Sequence, residues 1–380
     1  MVIGFDAKYV LNDAGGLGHY GRIALEALTA HCTHNDYILY TPDTQHGTLN
    51  INQLLVHSSV HLKLPKGSST GESWRTGKGV LKAAHRHGVQ VYHGLTGMLP
   101  DGLEYTGIAS VVTVGTLLHK RYPKHFSFFK RFFIERANKK VLRRADAVIA
   151  LSEFSKREIV AEYGVDPSKI TVVPVASEQL FATRISEEML ALQRSNYGLP
   201  KHYILVPGNF DSRHNISTAV EALAKVADES LHMVIVGRRN SYYSEMMHLA
   251  EKMGVKDRIV RIKTVAMTDM PAIYQMAQAV VVPSRYECTS LSVVRALQSG
   301  VPVVAATGSC MEEYGGDAAV YFSPDSPTDL ASAIDGVLTT GRESLLQAAP
   351  AQVEKFAPER MASSLNALYR SLKEMKKSQK

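Results

Sequence analysis

Short apolar runs, in which hydrophobic residues follow one another without polar alternation, recur along this chain from Val2 to Phe322. The runs from Val2 to Phe5, Tyr37 to Tyr40, Val60 to Leu64 and Val89 to Tyr92 predict strands, and ASVVTV, DAVIA and ITVVP continue the series. A second series repeats the pattern as YILVP, LHMVIV, RIVRI, AVVV, VVAA and AAVYF. Unbroken apolar runs of this length suit strands covered on both faces. Helical spacing and capping residues between them predict helices from about Glu72 to His87, Met270 to Ala277, Thr289 to Gln298, Pro327 to Leu338 and Pro358 to Lys373. Strand and helix alternate through two such series, so the pattern predicts the α/β class with two doubly wound parallel sheets. The polar stretch from about Ser177 to Pro200 reads as the link between them. It places the domains at 1–178 and 179–357, with 358–380 as a terminal helix and a frayed basic tail.

The stretch from Ala279 to Ala306 organises the second series. A buried run at Val280 to Val282 turns at Pro283 and Ser284, and a helix follows in which Leu291, Val294 and Leu297 share a face. Gly300 ends that helix and Pro302 opens the next strand. Thr289 and Ser290 are the candidate N-caps. A strand feeding a helix through a short polar loop leaves unpaired amides and the positive end of a helix dipole at the strand's carboxyl end, where phosphate binds readily.

Composition narrows the setting. Apolar content of 45% and charged content of 21% fit a water-soluble globular chain, and a formal charge of +7 favours an anionic partner. Cys32, Cys288 and Cys310 have no metal-type spacing and are too few for a disulfide framework, which predicts a reducing cytoplasm. Asp6, Lys8 and Asp13 exclude a signal peptide at the start of this sequence, and no apolar run reaches the roughly 18 residues of a membrane span.

Gly16, Gly18 and Gly21 match G-x-G-x-x-G, and Asp43 falls at the distance of a ribose-binding acid, which raises a dinucleotide site. In such a site the first glycine follows the strand directly, whereas eight residues lie between Asp6 and Gly15 here. From Lys120 to Arg144 there are ten Lys or Arg residues and one acid, Glu135, interleaved with Phe126, Phe128, Phe129, Phe132 and Phe133. Two readings stay open for segment 120–144: a core helix with its aromatics inward, or a patch that sits on an anionic membrane surface. No nucleic-acid motif accompanies the charge, so no nucleic-acid partner is expected.

Pro283, Ser284, Arg285, Tyr286, Glu287, Cys288, Thr289 and Ser290 resemble the donor-site signature of retaining glycosyltransferases of the GT-B fold, glycosyltransferase family 4. That family reads Pro-Ser-x-x-Glu-Gly-Phe-Gly, with a second Glu eight positions after the first. The position eight after Glu287 is Arg295. The resemblance extends to the Ala-Asp strand and Ser152-x-x-Ser155 helix start, to the loop carrying Arg213 and His214, and to TGSCMEEYGG with Glu312 and Glu313. The frames around the first strand resemble bacterial polysaccharide or glycolipid transferases, often mannosyltransferases.

The resemblance implies two Rossmann-like domains facing across a cleft, the first on the acceptor side and the second binding the donor nucleotide, with the C-terminal helix crossing back to the first. It implies metal-independent transfer of a hexose, such as mannose, from a GDP- or UDP-hexose to a hydroxyl of a glycan or glycolipid, with no further cofactor. Glu287 would then bind sugar hydroxyls, and Arg213 with amides around Ser290 and Leu291 would hold the diphosphate. Gly16 and Gly18 would approach the donor, and His93, His119 and Ser152 would line the acceptor side. His214 stands where the family has a second cation, and Arg295 where its Glu accepts the ribose hydroxyls. Gly115, Thr116 and Ala176 depart from the family pattern too. Three readings of Arg295 stay open: a degenerate site, recognition of a donor with an extra anionic group, or a pair with Glu287 that blocks the pocket. The alternative to an active transferase is a degenerate member of the fold that serves as a binding or partner subunit, with a partner glycosyltransferase. Either form would be cytoplasmic, or peripheral on the inner face of the membrane.

Overall fold

The structure, a computed structural model, describes residues 1–12, 15–42, 52–65 and 71–378. Asp43 lies outside the described residues. The chain forms two compact units, one built from residues 1–176 and 357–380 and the other from residues 177–356.

The first unit holds a parallel sheet of seven described strands: β1 (Val2–Asp6), β2 (Asp36–Tyr40), β3 (Val60–Lys63), β4 (Val91–Gly94), β5 (Ala109–Val114), β6 (Ala147–Ala150) and β7 (Ile170–Val172). They lie in the order β3-β2-β1-β4-β5-β6-β7. The second unit holds β8 (Tyr203–Pro207), β9 (His232–Val236), β10 (Ile259–Ile262), β11 (Ala279–Val282), β12 (Val303–Ala306) and β13 (Ala319–Phe322), in the order β10-β9-β8-β11-β12-β13. In the central strands β5, β6, β11 and β12 every residue is buried, as apolar runs without alternation require. Each sheet reverses its direction of growth once, between β1 and β4 in the first unit and between β8 and β11 in the second. The loops after those two strands diverge there and leave a crevice at the strands' carboxyl ends.

The C-terminal helix Pro358–Ser378 belongs to the first unit. Its Met361, Ala362, Leu365, Tyr369 and Leu372 recur at helical spacing and are buried. Asn35 Nδ2 donates to Asn366 Oδ1 at 3.0 Å, and Lys376 pairs with Asp146 at 2.8 Å.

Several expected elements differ. The helix expected over Glu72 to His87 is two, Gly71–Thr76 and Lys78–Arg86, because Gly77 between them adopts an extended backbone (φ −130°, ψ −155°). The stretch read as a plain link carries the helix Glu187–Tyr197, N-capped by Ser186 and ended by Gly198 at φ 62°. A further helix, Arg342–Glu354, contains Pro350 in its interior and was not expected. The aromatics of the helix Phe128–Arg144 do not face inward: Phe128, Phe129, Phe132 and Phe133 are 54–73% exposed, and Val141 and Leu142 pack against the unit instead. Among the described residues no helix is long and apolar enough to cross a membrane.

Candidate functional site

The crevice of the second unit is flanked by the loop between β8 and the helix Ile216–Leu223 and by the loop between β11 and the helix Leu291–Gln298. A backbone bond from Arg285 N to Arg213 O (2.9 Å) ties the two loops together. Asn215 holds the turn of the first loop in the left-handed region (φ 54°), where asparagine is one of the few tolerated side chains. Its Nδ2 donates to Pro324 O at 2.8 Å, and its Oδ1 accepts from Arg285 Nε at 3.1 Å and from Thr218 Oγ1 at 2.9 Å. Gly208, at φ 144°, ends β8 under the His214 ring; a Cβ there would stand 3.0 Å from His214 Cδ2. Backbone geometry and space both require glycine at this point.

These loops bring Arg213, His214, Glu287 and Asp211 into one network. Arg213 donates to Glu287 Oε2 at 3.0 Å and to His214 Nε2 at 2.8 Å. Guanidinium nitrogens only donate, so His214 Nε2 accepts and the ring's proton sits on Nδ1. Nδ1 lies 2.9 Å from Asp211 Oδ1, the oxygen that also accepts the His214 backbone amide at 3.0 Å. The approach to the ring is off the hydrogen-bond direction and is electrostatic in character. Burial acts to raise the Asp211 carboxyl, but His214 and Arg213 outweigh it and hold it below the ordinary carboxylate range. Glu287 Oε1 lies 3.6 Å from His214 Nε2. Among the described residues the Glu287 side chain is thus held by Arg213 alone, and its exposure of 19% leaves it within reach of a ligand.

Besides His214 Nδ1, two polar atoms here remain unspent. Arg213 Nε is buried without a hydrogen-bond partner, and so is Ser309 Oγ in the loop after β12. The next residue's amide, Cys310 N, donates to the Glu287 carbonyl at 3.4 Å and ties that loop to the same network. Ser290 takes the N-cap position of the helix Leu291–Gln298 but makes no side-chain capping bond, so no hydroxyl covers that helix end. The helix accordingly starts at Leu291 rather than Thr289, whose hydroxyl is bonded to Tyr314 OH at 2.9 Å.

Arg295 does not meet Glu287. Its Nε and Nη2 both lie 2.7 Å from Glu178 Oε2, and its guanidinium stacks 4.8 Å over the Phe181 ring. Glu178 N in turn bonds Gln298 Oε1 at 3.3 Å on the same helix. Arg295 therefore bolts the segment around Glu178 to the helix Leu291–Gln298. The blocking pair with Glu287 is absent because Arg213 occupies that carboxylate and Glu178 holds Arg295.

The expected residues of the first unit are spent on the fold. His93 is fully buried, with Nδ1 2.7 Å from Tyr369 OH and Nε2 2.8 Å from Thr113 Oγ1, which is itself 2.9 Å from Tyr20 OH. Burial lowers its pKa to about 3, so it is neutral in the folded protein. His93 ends β4 as expected, yet it offers neither nitrogen to a ligand. His119 lies 3.0 Å from Tyr163 OH and 3.4 Å from Glu135, and burial lowers its pKa. Ser152 and Ser155 form a capping box at the start of Glu153–Tyr163 and are both buried. Gly16 opens the helix Gly16–His31 with nothing within 4 Å of where a Cβ would stand, and Gly18, two residues on, is buried.

Sequence reasoning missed Asp211, Ser309 and Glu178. The signal available for Asp211 was its place three residues before His214 at the mouth of a βα loop. For Glu178, 117 residues from Arg295, there was none.

Family models match both units: "Glycosyltransferase Family 4" over residues 14–176 and "Glycosyl transferases group 1" over residues 192–352. The chain is 25% identical over 239 residues to O-antigen chain mannosyltransferase B of Escherichia coli, covering 62% of this chain and 61% of that protein. It is 28% identical over 239 residues to D-inositol 3-phosphate glycosyltransferase of Corynebacterium aurimucosum, covering 59% and 56%. The matched region thus spans less than two thirds of either relative. Among solved structures, HepE of Anabaena in complex with UDP superposes with a TM-score of 0.75 at 18% identity, covering 97% of this chain and 99% of that one. Two doubly wound parallel sheets, both family models and this superposition agree: the chain belongs to the GT-B glycosyltransferases of family 4.

Proposed function

We propose that the protein is a retaining glycosyltransferase that moves a hexose from a nucleoside-diphosphate sugar to a hydroxyl of a glycan or glycolipid. The observation that carries this reading is the Arg213–Glu287 pair set beside an uncapped helix N-terminus at the switch point of the second sheet. The amides near Leu291 and the Arg213 guanidinium would take the diphosphate, whose charge grows as the sugar leaves, so fixed donors there stabilise the transition state more than the ground state. As Arg213 turns to phosphate it releases His214 Nε2, which is then free to face the ligand. Glu287, freed from Arg213, accepts from sugar hydroxyls. The departing phosphate oxygen would serve as base for the attacking hydroxyl, so that no second carboxylate of the hydrolase kind is needed.

Calorimetric titration with UDP, GDP and their hexose conjugates tests this reading. Binding of one nucleotide series, weakened at least tenfold by Arg213→Ala, with the anomeric configuration retained in the product, supports it. No heat with any nucleotide at millimolar concentration overturns it.

A second reading, a partner subunit without turnover, is favoured by one observation. Arg295 is committed to Glu178, so the helix Leu291–Gln298 offers no carboxylate to a ribose. Nucleotide binding without transfer to any acceptor would decide for it.

A further inference from the structure

The solvent face of the helix Phe128–Arg144 is inverted relative to an ordinary surface helix. At about 100° per residue, Phe128, Phe129, Phe132 and Phe133 fall on one face in its first two turns. Arg136, Lys139, Lys140 and Arg143 continue that face through the next turns, and all eight side chains are exposed. Isolated exposed apolar residues are normal, but four phenylalanines in one stripe form a patch that water disfavours. Ser127 caps the helix from its side chain, and Phe128 and Phe129 stand edge to face at 5.8 Å, as do Phe132 and Phe133 at 5.9 Å, so the stripe is an ordered surface.

The surrounding charge identifies what the stripe meets. Lys139 reaches Glu135, and Lys140 reaches Asp101. Lys124, Lys130, Arg131, Arg136 and Arg143 have no acidic partner among the described residues. A groove of about 500 Å³ beside Phe132 is lined by Arg136, Lys139, Lys140 and Arg143, with Glu135 the single acid. A second copy of this chain would bring the same cations and a net charge of +7 against them. An anionic bilayer offers instead phosphates for the cations and hydrocarbon for the rings, and the two contributions add.

We infer that this face is a docking surface for an anionic lipid bilayer, with the phenylalanines entering the acyl boundary and headgroup phosphates seated in the cationic groove. The inference is independent of the proposed chemistry. Each basic residue held near an anionic surface contributes about 1 kcal/mol, or about fivefold in affinity. Replacing Arg136, Lys139 and Arg143 by Gln should then cost about a hundredfold.

The test is co-sedimentation of the full chain with phosphatidylcholine vesicles, with and without 30% phosphatidylglycerol. Two variants accompany the wild type, F128S/F129S and R136Q/K139Q/R143Q, each checked for an unchanged melting temperature. The expected result is binding to anionic vesicles only, suppressed by molar salt, where the screening length falls to about 3 Å. Both variants should lose at least tenfold. Phe129→Trp should add a fluorescence band that shifts to the blue on anionic vesicles. Absent binding at low salt, equal binding to neutral vesicles, or full binding by the F128S/F129S variant each overturns the inference. So does a dimer in ultracentrifugation that F128S/F129S dissociates while vesicles go unbound, which would make the face an interface between copies.

Discussion

The crevice at the β1/β4 reversal and the crevice at the β8/β11 reversal are topological equivalents, yet their charged groups are used in opposite ways. In the first unit Asp6 at the end of β1 is buried against Arg75, which also holds Glu72, and Lys8 closes on Glu72 at 3.0 Å. His93, Thr113, Tyr20 and Tyr369 form a continuous buried chain of hydrogen bonds beside them. In the second unit the charged pair Arg213 and Glu287 remains partly exposed, at 21% and 19%, whereas Arg75 and Asp6 are almost fully buried. A switch point supplies a place for a ligand, but only groups not already consumed by the fold can recognise one. The contrast is the chemical reason for proposing the diphosphate site in the second unit.

The comparison breaks most visibly through Arg75→Met. If the first crevice is locked by its own ion pair, the variant leaves Asp6 buried without its counter-ion and should lose about 3–5 kcal/mol in urea unfolding. Any nucleotide affinity should be unchanged in the protein that remains folded. A variant as stable as the wild type would show that the first crevice is not locked.

Arg213→Ala attacks the other side. Removing charge-assisted bonds worth about 1.5–3 kcal/mol should weaken nucleoside-diphosphate binding about ten- to hundredfold, with little change in unfolding. A stability loss without an affinity loss would reverse the assignment of the two crevices.

Arg295→Glu sets two carboxylates together and should cost the second unit about 1–3 kcal/mol, moderated because the pair is 15% exposed. Glu178→Arg in the same chain should restore most of it. Tighter binding of ordinary donors, the gain expected of a restored carboxylate, requires that Glu178 be neutralised as well. If Arg295→Glu alone is as stable as the wild type, the pair is not what fixes this segment.

His93 makes the locked crevice sensitive to acid. Its folded pKa is about 3 and its ordinary value 6.5, so the unfolded chain binds the proton first as the pH falls. The stability it confers is complete above pH 6.5 and declines below it, by up to about 1.4 kcal/mol per pH unit. Between pH 6.5 and 5, before most carboxylates titrate, His93→Gln should flatten that slope. An unchanged slope would place the titration elsewhere.

The smallest effect is at Gly16. Alanine there meets open space within a helix and should stabilise by about 0.5–1 kcal/mol. Unchanged turnover would confirm that the first unit's glycine edge is structural. A sharp drop would mean that ligand backbone contact is made there and would sharpen the comparison in the opposite direction.

The strands were legible because burial on both faces leaves no freedom in their composition, and AVVV and VVAA admit no other reading. Gly16, Arg213, Glu287 and Ser290 could be placed because each lies at the mouth of a βα loop, a position fixed by local sequence. The helix Glu187–Tyr197 was not legible because none of its residues is buried, so no apolar stripe marks it. Pro350 concealed Arg342–Glu354, since proline in a helix interior removes a hydrogen bond, a loss offset here by burial of Leu345, Ala349 and Gln352. The bond of Arg295 to Glu178 depends on how distant segments pack, and the outward turn of Phe128 and its neighbours follows from which side of the helix carries Val141 and Leu142. Neither is written in a local pattern.

The return of the C-terminal helix to the first unit has a consequence for the order in which the molecule can be completed. Asn35 waits for Asn366, and His93 for Tyr369, across 331 and 276 residues. A ribosome adding about 5–20 residues per second spends roughly 10–40 s on the intervening second unit. That unit, contiguous in sequence, can close on itself while the groove against Gly16–His31 stays open and Met361, Leu365 and Tyr369 do not yet exist. The unit begun first is finished last. Removal of residues 357–380 would therefore strike the unit begun first, leaving the His93 imidazole without Tyr369 while residues 177–356 stand complete.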